Sequence, residues 1–148
     1  MNPSRYGLVF HHFGLAARDE RPARVFLQGL GYEVGELIVD PEQNVRLAMC
    51  RGSGLPSLEL IVPADDGLGP LSSVLRRQDA CIYHSCFTTH DADASLAAMA
   101  ADSLKHMTVS PPKPAVLFGG RAVSFHLVGG FGLIELIHLP APVPANRS

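Results

Sequence analysis

The sequence contains no tryptophan, and aromatic residues make up only 7% of it. A metal-free binding module that grips flat drug-like molecules between aromatic walls is poorly served by so few rings. Cysteine is also scarce. Cys50, Cys81 and Cys86 are odd in number and nowhere spaced as CxxC, which argues against a disulfide framework and fits three small reduced hydrophobes in the cytoplasm. No excess of one charge exists either: 12 Lys and Arg are scattered among 14 Asp and Glu, without the basic stripe that nucleic acid requires. The longest apolar runs, such as Leu58 to Pro63 and Phe131 to Leu139, fall far below the roughly 20 residues that cross a bilayer. Residues 1–7 lack an apolar run ending at a small-residue cleavage site. The expectation is a cytoplasmic chain with neither a nucleic-acid nor a membrane partner.

What remains is ordinary in composition and unusual in order. With 148 residues, 47% apolar and 18% charged, the chain can bury one core. A strand-like run over Leu8 to Ala16 precedes Asp19, a good helix cap. Pro22 then suits a first turn, and Ala23, Phe26, Leu27 and Leu30 recur at helical spacing up to Gly31. Extended runs follow at Tyr32 to Val39, Val45 to Cys50 and Ser57 to Val62, parted by Asp40-Pro41 and Gly52-Ser53-Gly54. This unit reads β-α-β-β-β. After a linker with a short helix around Leu71 to Arg76, the same order returns. Cys81 to Thr89 is a strand, Asp91 caps an Ala-rich helix to about Ser103, and strands follow at Met107 to Ser110, Ala122 to Val128 and Gly132 to His138.

The repeat can be checked residue by residue. His12 precedes Asp19 by seven positions, and His84 precedes Asp91 by seven. Glu59-Leu60-Ile61 closes the first unit and Glu135-Leu136-Ile137 the second, 47 and 51 residues after their histidines. The extra length falls between Pro111 and Gly120. A carboxylate inside such apolar strands needs a polar partner, because an unpaired buried charge is costly. Two His and two Glu at equivalent places offer a common one. His12, Glu59, His84 and Glu135 are therefore expected to hold one divalent ion (Co, Ni, Zn, Mn or Fe), for which imidazole and carboxylate are suitable donors. The metal-free alternative is a pair of His–Glu hydrogen bonds. His11 is expected on the opposite face of its strand from His12, His126 and His138 lack repeat partners, and His90 and His106 read as surface residues.

His11-His12-Phe13-Gly14-Leu15-Ala16, Asp40-Pro41-Glu42-Gln43-Asn44-Val45 and Gly132-Leu133-Ile134-Glu135-Leu136 carry a resemblance to the vicinal oxygen chelate superfamily, within it to the methylmalonyl-CoA epimerase type. The resemblance covers about residues 8–138 as a single domain, with modules at about 8–63 and 80–138 and a disordered tail at 139–148. It implies an α+β fold in which two βαβββ modules form an open, metal-centred, eight-stranded barrel-like sheet, and it implies a homodimer. It also implies proton transfer alpha to a thioester carbonyl through an enolate, with Glu135 as both ligand and base. Typical epimerases carry a second base where this chain has Leu47. Glu59, standing where many epimerases have Gln, is the preferred replacement, and Glu42 in the exposed turn is the other. A glyoxalase-I-like lyase would use the same four ligands. An extradiol dioxygenase fits less well, because Glu59 would crowd its open face. The loop from Ser110 to Arg121 reads either as a lid whose Lys113 and Arg121 meet the phosphates or pantetheine arm of an acyl-CoA, or as a rigid surface connection.

Overall fold

The computed structural model describes residues 2–65 and 67–144. Along the chain run β1 (Val9–Ala17), α1 (Glu20–Leu30), β2 (Glu33–Val34), β3 (Ile38–Asp40), β4 (Val45–Arg51), β5 (Leu58–Pro63), α2 (Ser72–Leu75), β6 (Ala80–Thr89), α3 (Ala92–Ala101), β7 (His106–Pro114), β8 (Ala122–Val128) and β9 (Gly132–His138). The two histidine-bearing strands, β1 and β6, pair antiparallel at the centre of one nine-stranded open sheet. On its far side β1 takes β5 in parallel, and β6 takes β9 in parallel. Each half thus places its Glu strand beside its own His strand.

Local chemistry sets the helix ends. The Asp19 side chain accepts from Arg21 N at 3.0 Å, and Gly31 closes α1 at φ 104, a conformation that costs glycine little. Asp91 caps α3 in the equivalent way, accepting from Ala94 N at 2.9 Å. Of the expected apolar face of α1, only Leu27 is buried, with Ala23 packed against the core; Phe26 is 68% and Leu30 51% exposed. The periodicity merges two stripes, and the outer one also holds exposed Val25.

The strand expected over Tyr32 to Val39 forms as two, which makes nine strands rather than eight. β2 and β3 both pair with β4, but the register slips by one residue between them. Gly35 bridges the break by donating to Met49 O at 3.1 Å, and the Arg24 guanidinium donates to the carbonyls of Val34 and Gly35. β7 also differs from expectation. It continues through Pro111, Pro112 and Pro114, so the first part of the supposed loop is strand. β7 is the edge of the sheet, where prolines without N–H groups are tolerated, and its register shifts around them. Part of the expected tail is anchored: Leu139 N donates to Thr89 O at 2.8 Å, and Pro140 O is bonded by His90 Nδ1. Residues 145–148 of that tail lie outside the described residues.

Two irregularities in the β1–β6 pair place the site. Phe10 faces Phe87 and His12 faces Cys86, which leaves His11 as an extra residue in β1. Gly14 faces His84 and Leu15 faces Ile82, which leaves Tyr83 extra in β6. Each half therefore has a bulge at the residue just before its histidine, and a bulge re-aims side chains that strict alternation would separate.

Candidate metal centre

Pairing brings four side chains to one face. Gly14 of β1 stands between Glu59 of β5 and His84 of β6, while Cys86 of β6 stands between His12 of β1 and Glu135 of β9. One ligating atom from each of His12, Glu59, His84 and Glu135 lies within 4.8 Å of all the others. His12 Nε2 is 3.4 Å from Glu135 Oε1 and 3.8 Å from Glu59 Oε2, and His84 Nε2 is 3.8 Å from Glu135 Oε1. All four residues are buried.

These separations are too long for good hydrogen bonds. His12 Nε2, both ring nitrogens of His84 and Glu135 Oε1 are buried without a hydrogen-bond partner. Each such orphan costs about 1–3 kcal/mol. A single divalent cation with bonds of about 2.1 Å would satisfy the convergent atoms together, so the donor set fits the ion that the repeat implies. Paired His–Glu hydrogen bonds, the metal-free alternative, are not formed.

The electrostatics agree. Burial, helped by the facing histidines, pushes His12 down to about 3, and burial alone pushes His84 down to about 4. Both imidazoles are neutral with lone pairs available. Burial, with Asp40 adding to it, pushes Glu135 up to about 7 against an opposing hydrogen bond from the Cys86 thiol. Burial, then Glu135 and Asp40, raises Glu59 well above the usual carboxylate range. Without a cation these carboxylates hold protons at a pH where an unfolded chain has released them.

This sets a stability profile. Glu135 contributes fully below about pH 4.5, and its contribution is lost as pH rises through about 7; the contribution of Glu59, whose carboxyl is also raised by burial, is lost in the same direction. The depressed imidazoles contribute above about 6.5 and fail as pH falls toward 3 to 4. Between about 4.5 and 6.5 the two effects oppose each other. In EDTA the melting temperature is expected to fall as pH is raised from 6.5 to 8. With a divalent ion, which needs the deprotonated ligands, the trend should reverse. Scanning fluorimetry at several pH values checks this, and parallel profiles with and without metal would refute it.

Gly14 is the least conspicuous part of the site. A Cβ there would fall inside the His84 ring. Gly14→Ala is therefore expected to swing His84 aside and weaken Co²⁺ binding by about 10-fold or more, as loss of ligand orientation does. Retained affinity in a chelator competition would show that the ring has another seat.

Beside the centre lies a cleft of about 380 Å³. Tyr83 and Phe125 line it and also flank His84, with ring centroids 4.5 and 5.5 Å away. Burial, then Glu59 and Glu135, pushes the Tyr83 phenol well above its ordinary range, so it stays protonated. Lys113 and Glu42 also line the cleft, whereas Arg121 does not. Phe118, in a single 3-10 turn, stacks on His12 with centroids 5.5 Å apart and planes at 26°. Leu47 is buried with Ile61, Leu71 and Leu75, so the wall bears no carboxylate at that point.

Sequence reasoning missed Tyr83, Phe118 and Gly14, and it placed His11 wrongly. The bulge puts His11 on the same side as its neighbour, with Nδ1 2.8 Å from His12 Nδ1. His126 and His138 lie apart from the centre, each 2.8 Å from Ser124 Oγ. Among the described residues no helix is long and apolar enough to cross a membrane.

Comparison with known proteins identifies the family and the fold. The family model of the Glyoxalase/Bleomycin resistance protein/Dioxygenase superfamily matches residues 11–125. No curated protein sequence matches the chain. Among solved structures, methylmalonyl-CoA epimerase from Mycobacterium tuberculosis is similar at TM-score 0.67 and 21% identity, covering 92% of this chain and 89% of that one. A hypothetical protein from Bacillus halodurans is similar at TM-score 0.69 and 16% identity, covering 92% and 97%. A Streptomyces coelicolor methylmalonyl-CoA epimerase variant in complex with 2-nitronate-propionyl-CoA is similar at TM-score 0.63 and 23% identity, covering 89% and 97%. At these identities the likeness concerns the fold.

Proposed function

Because the chain belongs to the Glyoxalase/Bleomycin resistance protein/Dioxygenase superfamily, we propose that it is a divalent-metal-dependent isomerase that moves a proton alpha to the carbonyl of an acyl thioester, in the manner of a methylmalonyl-CoA epimerase. The observation that carries the reading is the convergence of buried, unpartnered Nε2 and Oε1 atoms from both repeats. A divalent ion held by His12, Glu59, His84 and Glu135 would supply a Lewis acid that lowers the cost of negative charge on the thioester oxygen.

The remaining work belongs to the chain. Glu135, on β9, takes the α-proton from one face; its burial keeps its affinity for a proton high. Glu59, on β5 of the other half, returns a proton to the opposite face. Leu47 makes this second role necessary, since the wall there is apolar. The aromatic flank of Tyr83 and Phe125 and the stack of Phe118 on His12 keep water from the reacting carbon. Lys113 on the cleft is positioned for an anionic part of the substrate, such as the phosphates of an acyl-CoA; Arg121, away from the cleft, is left without that role.

Solvent-deuterium entry at C2 of methylmalonyl-CoA, measured with and without added Co²⁺, tests the reading. A glyoxalase-I-like lyase acting on a thiol hemiacetal is the second reading, favoured by Glu in place of Gln at position 59, and methylglyoxal with glutathione is its assay. No turnover of either substrate in metal-loaded protein would overturn both. A homodimer and a cytoplasmic location complete the proposal, supported by the exposed apolar stripe of Val25, Phe26 and Leu30 and by three free cysteines.

A further inference from the structure

The two histidine ligands are not held alike. His84 has no hydrogen-bond partner on either ring nitrogen among the described residues; its ring is seated against Gly14 and between the edges of Tyr83 and Phe125. His12 instead has Nδ1 only 2.8 Å from His11 Nδ1. The equivalent bulge residue in the other half is Tyr83, which is hydrogen-bonded to no ligand nitrogen. One half has kept a polar partner behind its ligand and the other an apolar seat.

A short Nδ1 to Nδ1 contact between two neutral imidazoles requires that one nitrogen carry the proton and the other offer a lone pair. His12 Nε2 is the atom aimed at Glu135 and Glu59, so it must be free of a proton to ligate. The His12 proton then sits on Nδ1 and is donated to His11 Nδ1, which places the His11 proton on its own Nε2. Phe118 fixes both rings, edge-on to His11 at 86° and stacked on His12 at 26°. Ligating histidines usually give this bond to a carboxylate, a carbonyl or water, and their metal affinity depends on it.

We propose that His11 is a positioning residue for the metal centre, whose Nδ1 accepts the Nδ1–H of His12 and so fixes the tautomer and ring angle that present His12 Nε2 to a divalent cation. The proposal rests on the metal reading above and names an acceptor that strand alternation hides.

Two near-isosteric replacements test it. His11→Asn keeps an oxygen close to the place of Nδ1, whereas His11→Leu keeps the volume without an acceptor. Co²⁺ titration of the full chain, followed by visible absorption and by chelator competition, is expected to show His11→Leu weakened about 10- to 100-fold, and His11→Asn within about threefold of wild type. Long-range ¹H–¹⁵N spectra of the zinc-loaded protein should show His12 as the Nδ1–H tautomer in wild type and His11→Asn. Melting temperatures in EDTA establish that both variants fold. Wild-type affinity in both variants overturns the proposal, and so does equal weakening of both, which would mean that the ring packs but does not accept. A wild-type protein that takes up no Co²⁺ overturns the metal reading itself, a result distinct from either.

Discussion

Glu135→Gln is expected to abolish epimerisation and the deuterium exchange of the C2 epimer whose proton faces Glu135, with kcat/KM for that epimer lowered at least about 10³-fold even in saturating metal. The size follows from the two roles proposed for one side chain. As a base it contributes about 10² to 10⁴. As a ligand it supplies one of two carboxylate charges opposite two neutral imidazoles, and an amide oxygen replaces that charge poorly. Saturating Co²⁺ separates the parts: restored occupancy without restored exchange isolates the base, whereas full rescue would reduce Glu135 to a ligand. Glu135→Asp is the sharper control. It keeps the charge but withdraws the carboxylate by one methylene, and misplacement on the order of 1 Å costs about 10². The Cys86 thiol, which donates to Phe87 O at 3.9 Å, is pushed upward by burial. It remains protonated and provides no substitute base.

The four centre residues were legible because duplication printed them twice at matching distances from helix caps. Neither His12 nor Glu59 alone distinguishes itself from a hydrogen-bonded core residue. What strand periodicity could not register was its own interruption. Alternation assigns His11 to the face opposite His12, but one extra residue in β1 reverses that assignment, and nothing in the residue types around His11 announces a bulge. The same slip in β6 turns Tyr83 against the His84 ring and into the cleft. Proline misled in the opposite direction: Pro111, Pro112 and Pro114 read as the start of a loop because they cannot donate to a ladder, yet on the edge β7 has no outer neighbour to receive those bonds. Helical spacing in α1 likewise could not tell its buried stripe from its exposed one. The convergence of side chains was therefore readable where two repeats had to agree, and unreadable where a single backbone irregularity decided which way a side chain points.

Leu47 turns that geometry into a question about stereochemistry. An epimerase needs proton exchange on both faces of a planar intermediate, and the structure offers two buried carboxylates, Glu59 from β5 and Glu135 from β9, on strands that flank the β1–β6 pair. Near the apolar Leu47, Ile61 and Leu71 the other buried acid among the described residues is Asp40, whose carboxylate is engaged by Glu42 N, Gln43 N and Gln43 Nε2; Glu42, on the rim of the cleft, is exposed. Glu59→Gln should then separate two activities that usually travel together. The amide oxygen remains a neutral ligand, so metal binding weakens but persists. Glu135 still removes and returns the proton on its own face, so solvent deuterium enters one C2 epimer within about tenfold of the wild-type rate. Epimerisation, which needs the opposite face, falls by about 10² to 10⁴. Following isotope entry and optical inversion in one reaction, starting separately from each epimer, measures both. Inversion at the wild-type rate would make Glu59 a ligand only and direct the search to Glu42. Loss of exchange from both epimers in fully metal-loaded protein would mean that the two carboxylates act as one coupled base rather than as an opposed pair.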